Sequence, residues 1–229
     1  MKTAAGTDSN QQLKEHIEMS QNTHRKARLS DGIIKQNPVL MSGLFAVPVI
    51  GAATSLENAL AVCYVFSLVT LISVALCRLL PKKIAFAIRI VLYALIATAV
   101  YVPAAITAEL IFPAGMTENI GLYLAVIVTN PLILTKTESR FFLRTPLQML
   151  KDVMGFIIGF DLSCLLVGVI RDILTDNIIG NTIVPLSFQM PSMNSVYGGF
   201  ILVGVLAGLF RALYNKFGKK NRKKSGRTV

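Results

Sequence analysis

Long uncharged apolar runs alternate with short charged stretches along this chain. The segments Asn58–Cys77, Ile90–Ala108, Asn119–Thr135 and Asn177–Phe210 carry no Asp, Glu, Lys or Arg. As a helix, an uncharged apolar run of about 18 residues covers the roughly 30 Å of a bilayer's hydrocarbon. Only helices and closed barrels satisfy their own backbone there. The pattern predicts an all-α polytopic membrane protein with six spans, near residues 38–54, 58–77, 88–108, 119–135, 152–173 and 195–213. Asn177–Met193 is too apolar for an ordinary loop, and Pro185 and Pro191 interrupt it, so it reads as an interfacial or re-entrant segment. Residues 1–36 are polar and lack the apolar core of a secretory signal, which predicts a flexible tail with a short amphipathic helix at Leu13–Met19. Residues 37–213 then form the membrane domain, and 214–229 a basic tail.

Charge placement orients these spans. With six of them, 22 of the 23 Lys and Arg residues fall on one side, and only Arg171 falls on the other, beside Glu57, Glu109, Glu118, Asp172 and Asp176. Basic loops stay in the cytoplasm, so both termini are expected there, in a cell membrane. Composition agrees: 53% hydrophobic and 15% charged residues, with mean hydropathy +0.60, against roughly 45–50% and 25% in soluble domains. This excludes a disordered chain, a disulfide scaffold and an ordinary soluble enzyme. The basic run Lys216–Arg227 directly follows a span. Attraction to anionic lipid, at about 1 kcal/mol per charge, accounts for it without nucleic acid.

Several residues stand out as candidates. Val47-Pro48 and Asn130-Pro131 interrupt the two shortest spans, the first and the fourth. Short, Pro-broken spans at matching positions point to two inverted three-helix repeats and a functional midplane where freed carbonyls meet a partner. Asp161 lies within the fifth span; a charge at such depth is costly and marks an ion path or a polar partner. At 100° per residue it shares a stripe with Cys164, Gly168 and Asp172, a polar line through Asp161 and Asp172. Gly155 and Gly159, and Gly204 and Gly208, have the spacing of close helix packing. Cys63 and Cys77 lie on one helix, about 21 Å apart at 1.5 Å per residue. With Cys164 in the fifth span, they read as small buried apolar side chains. No phosphate-binding loop, dinucleotide fingerprint, zinc motif or nucleophile elbow occurs.

A series of short motifs resembles one family. It comprises Asn37-Pro38, Thr54-Ser55-Leu56-Glu57-Asn58-Ala59-Leu60, and Gly121-Leu122-Tyr123 leading to Ile127-Val128-Thr129-Asn130. Lys136-Thr137-Glu138, Gly155 to Gly159-Phe160, and Gly168-Val169-Ile170-Arg171-Asp172 follow. In this order they resemble the six-span membrane subunits of the Rnf and Nqr electron-transport complexes, of the RnfE/NqrD type. The resemblance implies pairing with an inverted-topology paralogue. It also implies a [2Fe–2S] cluster held by one Cys from each broken span, and electron transfer coupled to Na⁺ or H⁺ movement. The positions of those two Cys are Val47 and Pro131 here, and neither side chain can donate a thiolate. The expectation is therefore a non-catalytic membrane subunit of an ion-translocating complex, without its own cluster. The alternative is a stand-alone small-solute or ion transporter on the same inverted repeat.

Overall fold

A computed structural model describes residues 31–81, 83–113, 120–143, 145–175, 178–179, 182–183 and 189–224. The amphipathic segment expected at Leu13–Met19 and much of Asn177–Met193 lie outside the described residues. In chain order the helices are α1 (Val47–Ala52), α2 (Leu56–Cys77), α3 (Phe86–Ile111), α4 (Leu122–Ala125), α5 (Thr137–Ser139), α6 (Pro146–Thr175) and α7 (Val196–Lys224). A two-residue antiparallel ladder, Ile178–Ile179 with Thr182–Ile183, follows α6. Among the described residues, four helices, α2, α3, α6 and α7, are long and apolar enough to cross a membrane.

Local chemistry sets the ends of these helices. Ser55 caps α2, its Oγ accepting the Asn58 N–H at 3.1 Å. Pro146 opens α6, where its missing N–H is no loss. Pro103 sits inside α3 without ending it, as neighbouring groups allow in membrane helices. α7 runs on to Lys224, past the expected end of the span near residue 213. The Lys- and Arg-rich stretch there consists of good helix formers and carries no Pro to stop it.

The two shortest predicted spans are not continuous helices. The first, expected near residues 38–54, consists of irregular chain and then α1; a π-helical turn, Asp31–Lys35, precedes it at the end of the tail expected to be flexible, held there by its packing on α6. The second consists of α4, a 3-10 turn at Val126–Thr129, a break at Asn130, and a π-helical turn at Leu132–Lys136. One detail departs from expectation. Pro48 lies in the first turn of α1 and starts it, because Pro is pre-organised for that position. The irregular chain of the first segment lies upstream of Pro48, between Gln36 and Ala46.

The centre of the molecule is an antiparallel pair, α2 and α6, with α3 alongside α2. Contacts pair Leu56 with Asp172, Ala59 with Gly168, Ser67 with Asp161, and Arg78 with Met149. The stripe that reads in sequence as a polar line thus lies in the seam between α2 and α6. A Cβ on Gly168 would sit 2.7 Å from the Ala59 Cβ and 2.9 Å from the Ser55 carbonyl oxygen. Phe66 and Phe160 stack across the seam with centroids 3.8 Å apart, and Phe45 packs against both at 5.6 and 5.7 Å.

The two glycine pairs have different surroundings. Gly159 receives the π-helical turn so closely that a Cβ there would come within 2.6 Å of the Gly32 carbonyl oxygen. From the other side, a Cβ on Gly32 would lie 2.4 Å from the Gly155 carbonyl carbon. Gly204 and Gly208 face open space. α7 rests on α1 and on the 3-10 turn Pro191–Asn194, and Arg211 Nη2 donates to the Met41 carbonyl at 2.6 Å. Gly159→Ala is expected to destabilise the purified protein by about 1–3 kcal/mol, because the obstructing atoms are backbone. Gly204→Ala should leave its stability unchanged. Thermal unfolding of both variants in detergent checks the contrast.

Candidate functional site at the two broken segments

Each broken segment is held by an asparagine that precedes a proline. Asn37 is buried, and its Oδ1 accepts the N–H groups of Val39 and Leu40 at 2.9 and 2.8 Å. Its Nδ2 donates to the Gly159 carbonyl at 2.8 Å and to Ser163 Oγ at 3.0 Å, both on α6. Asn130 is also buried; its Oδ1 accepts the Leu132 N–H at 2.9 Å, and its Nδ2 donates to Thr70 Oγ1 on α2 at 2.9 Å. The same side chain therefore restarts the backbone after each break and ties it to the central helix on the far side of the sequence. The two ties share one register: the step from Asn37 to Asn130 equals the step from Thr70 to Ser163.

Arg171 organises the other end. Its side chain is fully buried. Nη1 donates to the carbonyls of Ile50 and Ala53, at 2.9 and 3.0 Å, where α1 ends. Nε donates to Met193 at 2.9 Å and Nη2 to Ser195 at 2.7 Å, where α7 begins. One planar fork thus joins four carbonyls from two irregular segments. The neighbouring Asp172 accepts the Leu56 N–H through Oδ2 at 2.8 Å, placing a carboxylate at the N-terminus of α2, where the helix dipole favours it.

Towards the other end of the central pair, Arg140 forms an ion pair with the buried Asp152 at 3.0 Å and donates to Gln36 Oε1 at 2.5 Å. Arg89 pairs with Glu138 at 3.2 Å, and Tyr93 donates its hydroxyl to the same carboxylate. These contacts fasten the end of the second broken segment to α3 and α6.

Asp161 sits half-buried in the α2–α6 seam. Its Oδ2 accepts the Ser67 hydroxyl at 3.0 Å, whereas Oδ1 is buried with no N–H or O–H donor among the described residues. Val47 is half-exposed on α1, Pro48 is buried beside it, and Pro131 is half-buried next to Asn130. The structure therefore joins Asn130 to the central pair and leaves the Val47 side chain on the outer surface. Asn37, Thr70, Ser163 and Arg171 carry most of the polar bonding, and sequence reasoning passed over them as site residues. The repeated Asn-Pro dipeptide is the signal that could have found the first three.

The fold and these contacts define a polytopic α-helical membrane protein built around two broken segments. The chain belongs to the family described as Rnf-Nqr subunit, membrane protein, which matches residues 26–214. It is 28% identical over 217 residues to the E-type subunit of an ion-translocating oxidoreductase complex of Shewanella oneidensis, covering 86% of this chain and 90% of that one. It is 27% identical over 184 residues to the E-type subunit of a Na(+)-translocating ferredoxin:NAD(+) oxidoreductase complex of Acetobacterium woodii, covering 79% and 93%. It is 25% identical over 170 residues to the D-type subunit of a Na(+)-translocating NADH-quinone reductase of Pseudoalteromonas translucida, covering 73% and 80%.

Val47 and Pro131, where the resemblance would place cluster thiolates, have side chains that cannot bind iron. Val47 offers an isopropyl group and Pro131 a ring, and cluster iron requires thiolates or imidazoles. Cys63, Cys77 and Cys164 are free and buried, on α2 and α6 instead of on the broken segments.

Removing the arginine fork should be severe. Arg171→Met leaves up to four carbonyls without their donor, at a cost of about 1–3 kcal/mol for each acceptor left unsatisfied. Arg171→Lys recovers only part of this, because an ammonium cannot span the four acceptors. Thermal unfolding, with limited proteolysis near residues 50–54 and 190–195, reads both effects.

Proposed function

We propose that this chain is a membrane-embedded subunit of an ion-translocating electron-transport complex, working beside redox-active subunits and holding no [2Fe–2S] cluster itself. The observation that carries this reading is family membership across most of the chain; Val47 and Pro131, standing where the resemblance expects thiolates, support the absence of a cluster. The names of its relatives supply the ion-translocating context. Its partners are other membrane subunits, among them an inverted-topology paralogue, and anionic lipid against the basic end of α7.

The six-span inverted repeat belongs to the same proposal. In its support, the central helices α2 and α6 run antiparallel, and the Asn37–Ser163 and Asn130–Thr70 bonds repeat with one register. The reading takes the two broken segments as spans beside the four long helices. The one-sided distribution of Lys and Arg supports cytoplasmic termini in this reading.

Within this reading Asp161 carries the coupling ion or proton. A charged carboxylate at the centre of a span costs about 2.5–3.5 kcal/mol on insertion scales, and one of its oxygens has no N–H or O–H donor among the described residues. Asp172 lies at the end of the same seam and marks its exit. Asp161→Asn keeps size and hydrogen bonding, so assembly should persist while ion-coupled turnover of the complex falls at least tenfold. Asp161→Leu tests the structural alternative, in which only the hydrogen bond to Ser67 matters; there Asn is silent and Leu destabilises. Full turnover in Asp161→Asn ends the ion-path reading. The purified chain should carry no stoichiometric iron or labile sulfide. Purification without any redox partner, together with solute uptake by the chain alone in vesicles, would favour the stand-alone transporter.

A further inference from the structure

Cys63 and Cys164 are far apart in sequence and adjacent in space. Cys164 Sγ donates to the Ala59 carbonyl at 3.8 Å. In the α2 ladder that same carbonyl accepts the N–H of residue 63. Reciprocally, Cys63 Sγ donates to the Asp161 carbonyl at 3.7 Å, one turn before Cys164 on α6. The crossed bonds set the two thiols between the same two helix turns. Both are free and buried. Cys77, also buried, lies at the end of α2, remote from the pair along the helix axis.

Two sulfurs on opposed helices, with no group of three or more His, Cys, Asp or Glu ligands among the described residues, match one kind of ion. Soft sulfur donors select Cu(I) over hard cations. Magnesium, calcium and zinc all require more ligands than this seam supplies. We propose that Cys63 and Cys164 form a two-coordinate site for a soft monovalent metal ion, Cu⁺, that bridges α2 and α6. Two S–Cu bonds form on binding. One S–H bond breaks and its proton leaves to solvent, while the second thiol coordinates through a lone pair with its proton retained. The resulting thiolate–Cu–thiol unit is neutral, as a seam of low polarity demands. No electron changes hands. The site adjoins Asp161, whose carbonyl Cys63 contacts, and it does not depend on the complex the chain serves.

The test uses the purified full-length chain in detergent under anaerobic conditions. Cu⁺ is supplied as its acetonitrile complex, excess bicinchoninate is added as competitor, and protein-bound copper is counted after desalting. The wild type and Cys77→Ser should each retain one copper per chain, whereas Cys63→Ser and Cys164→Ser should retain none. Circular dichroism and gel filtration establish which variants are folded, and only folded variants are scored. Copper K-edge absorption on the wild type should report two sulfur neighbours. A wild type that retains no copper, a sulfur count other than two, undiminished retention in either folded single variant, or loss in folded Cys77→Ser each overturns the site. If neither Cys63→Ser nor Cys164→Ser folds, the same two-sulfur count in Cys77→Ser, where Cys63 and Cys164 are the remaining cysteines, decides the matter.

Discussion

Hydrocarbon offers no water to an exposed peptide group, and this constraint shapes the whole molecule. A continuous helix meets it within its own ladder; a broken one must borrow partners. Two of the apolar segments here are broken, and the structure answers with three side chains. Asn37 and Asn130 accept the first free N–H groups after each break. Arg171 donates to the free carbonyls where α1 ends. Each then reaches a neighbouring element, so that satisfying the backbone and assembling the bundle are one event.

This arrangement explains why the central seam is so tight. The Asn37 amide can meet the Gly159 carbonyl only if the chain near residue 32 approaches α6 at backbone distance, and the glycines at 155 and 159 permit that approach. Gly168 allows the N-terminus of α2 the same intimacy at the opposite end, where Asp172 caps it. Small residues and caps therefore cooperate, and the aromatic stack of Phe45, Phe66 and Phe160 fills the space between.

The long helices α2, α3, α6 and α7 were legible in the sequence because uncharged apolar length is a one-dimensional property. So were the two interruptions, since Pro and short span length are local signals. What stayed hidden depends on which elements pair. The seam shared by Asp161, Cys164, Gly168 and Asp172 looks like a polar stripe until α2 is laid against it. Cys164 looks solitary until Cys63 arrives on a helix distant in the chain. Gly204 and Gly208 carry the same spacing as Gly155 and Gly159, yet only the latter pair receives a neighbour among the described residues. The break before α1 was placed too late because Pro48 can either bend a helix or begin one, and composition does not distinguish the two.

Every acceptor in the Arg171 fork is a main-chain oxygen. The latch therefore makes no demand on the identity of the side chains at Ile50, Ala53, Met193 or Ser195. What constrains those positions lies elsewhere: Ile50 and Ala53 are buried in the core, and the Ser195 Oγ accepts the Gly198 N–H. In an evolving lineage such an arginine would stand alone: indispensable at its own position, with no partner residue whose changes track it. Methods that infer contacts from correlated substitutions would miss the strongest polar tie between α1 and α7, although they would find the weaker apolar contacts around it.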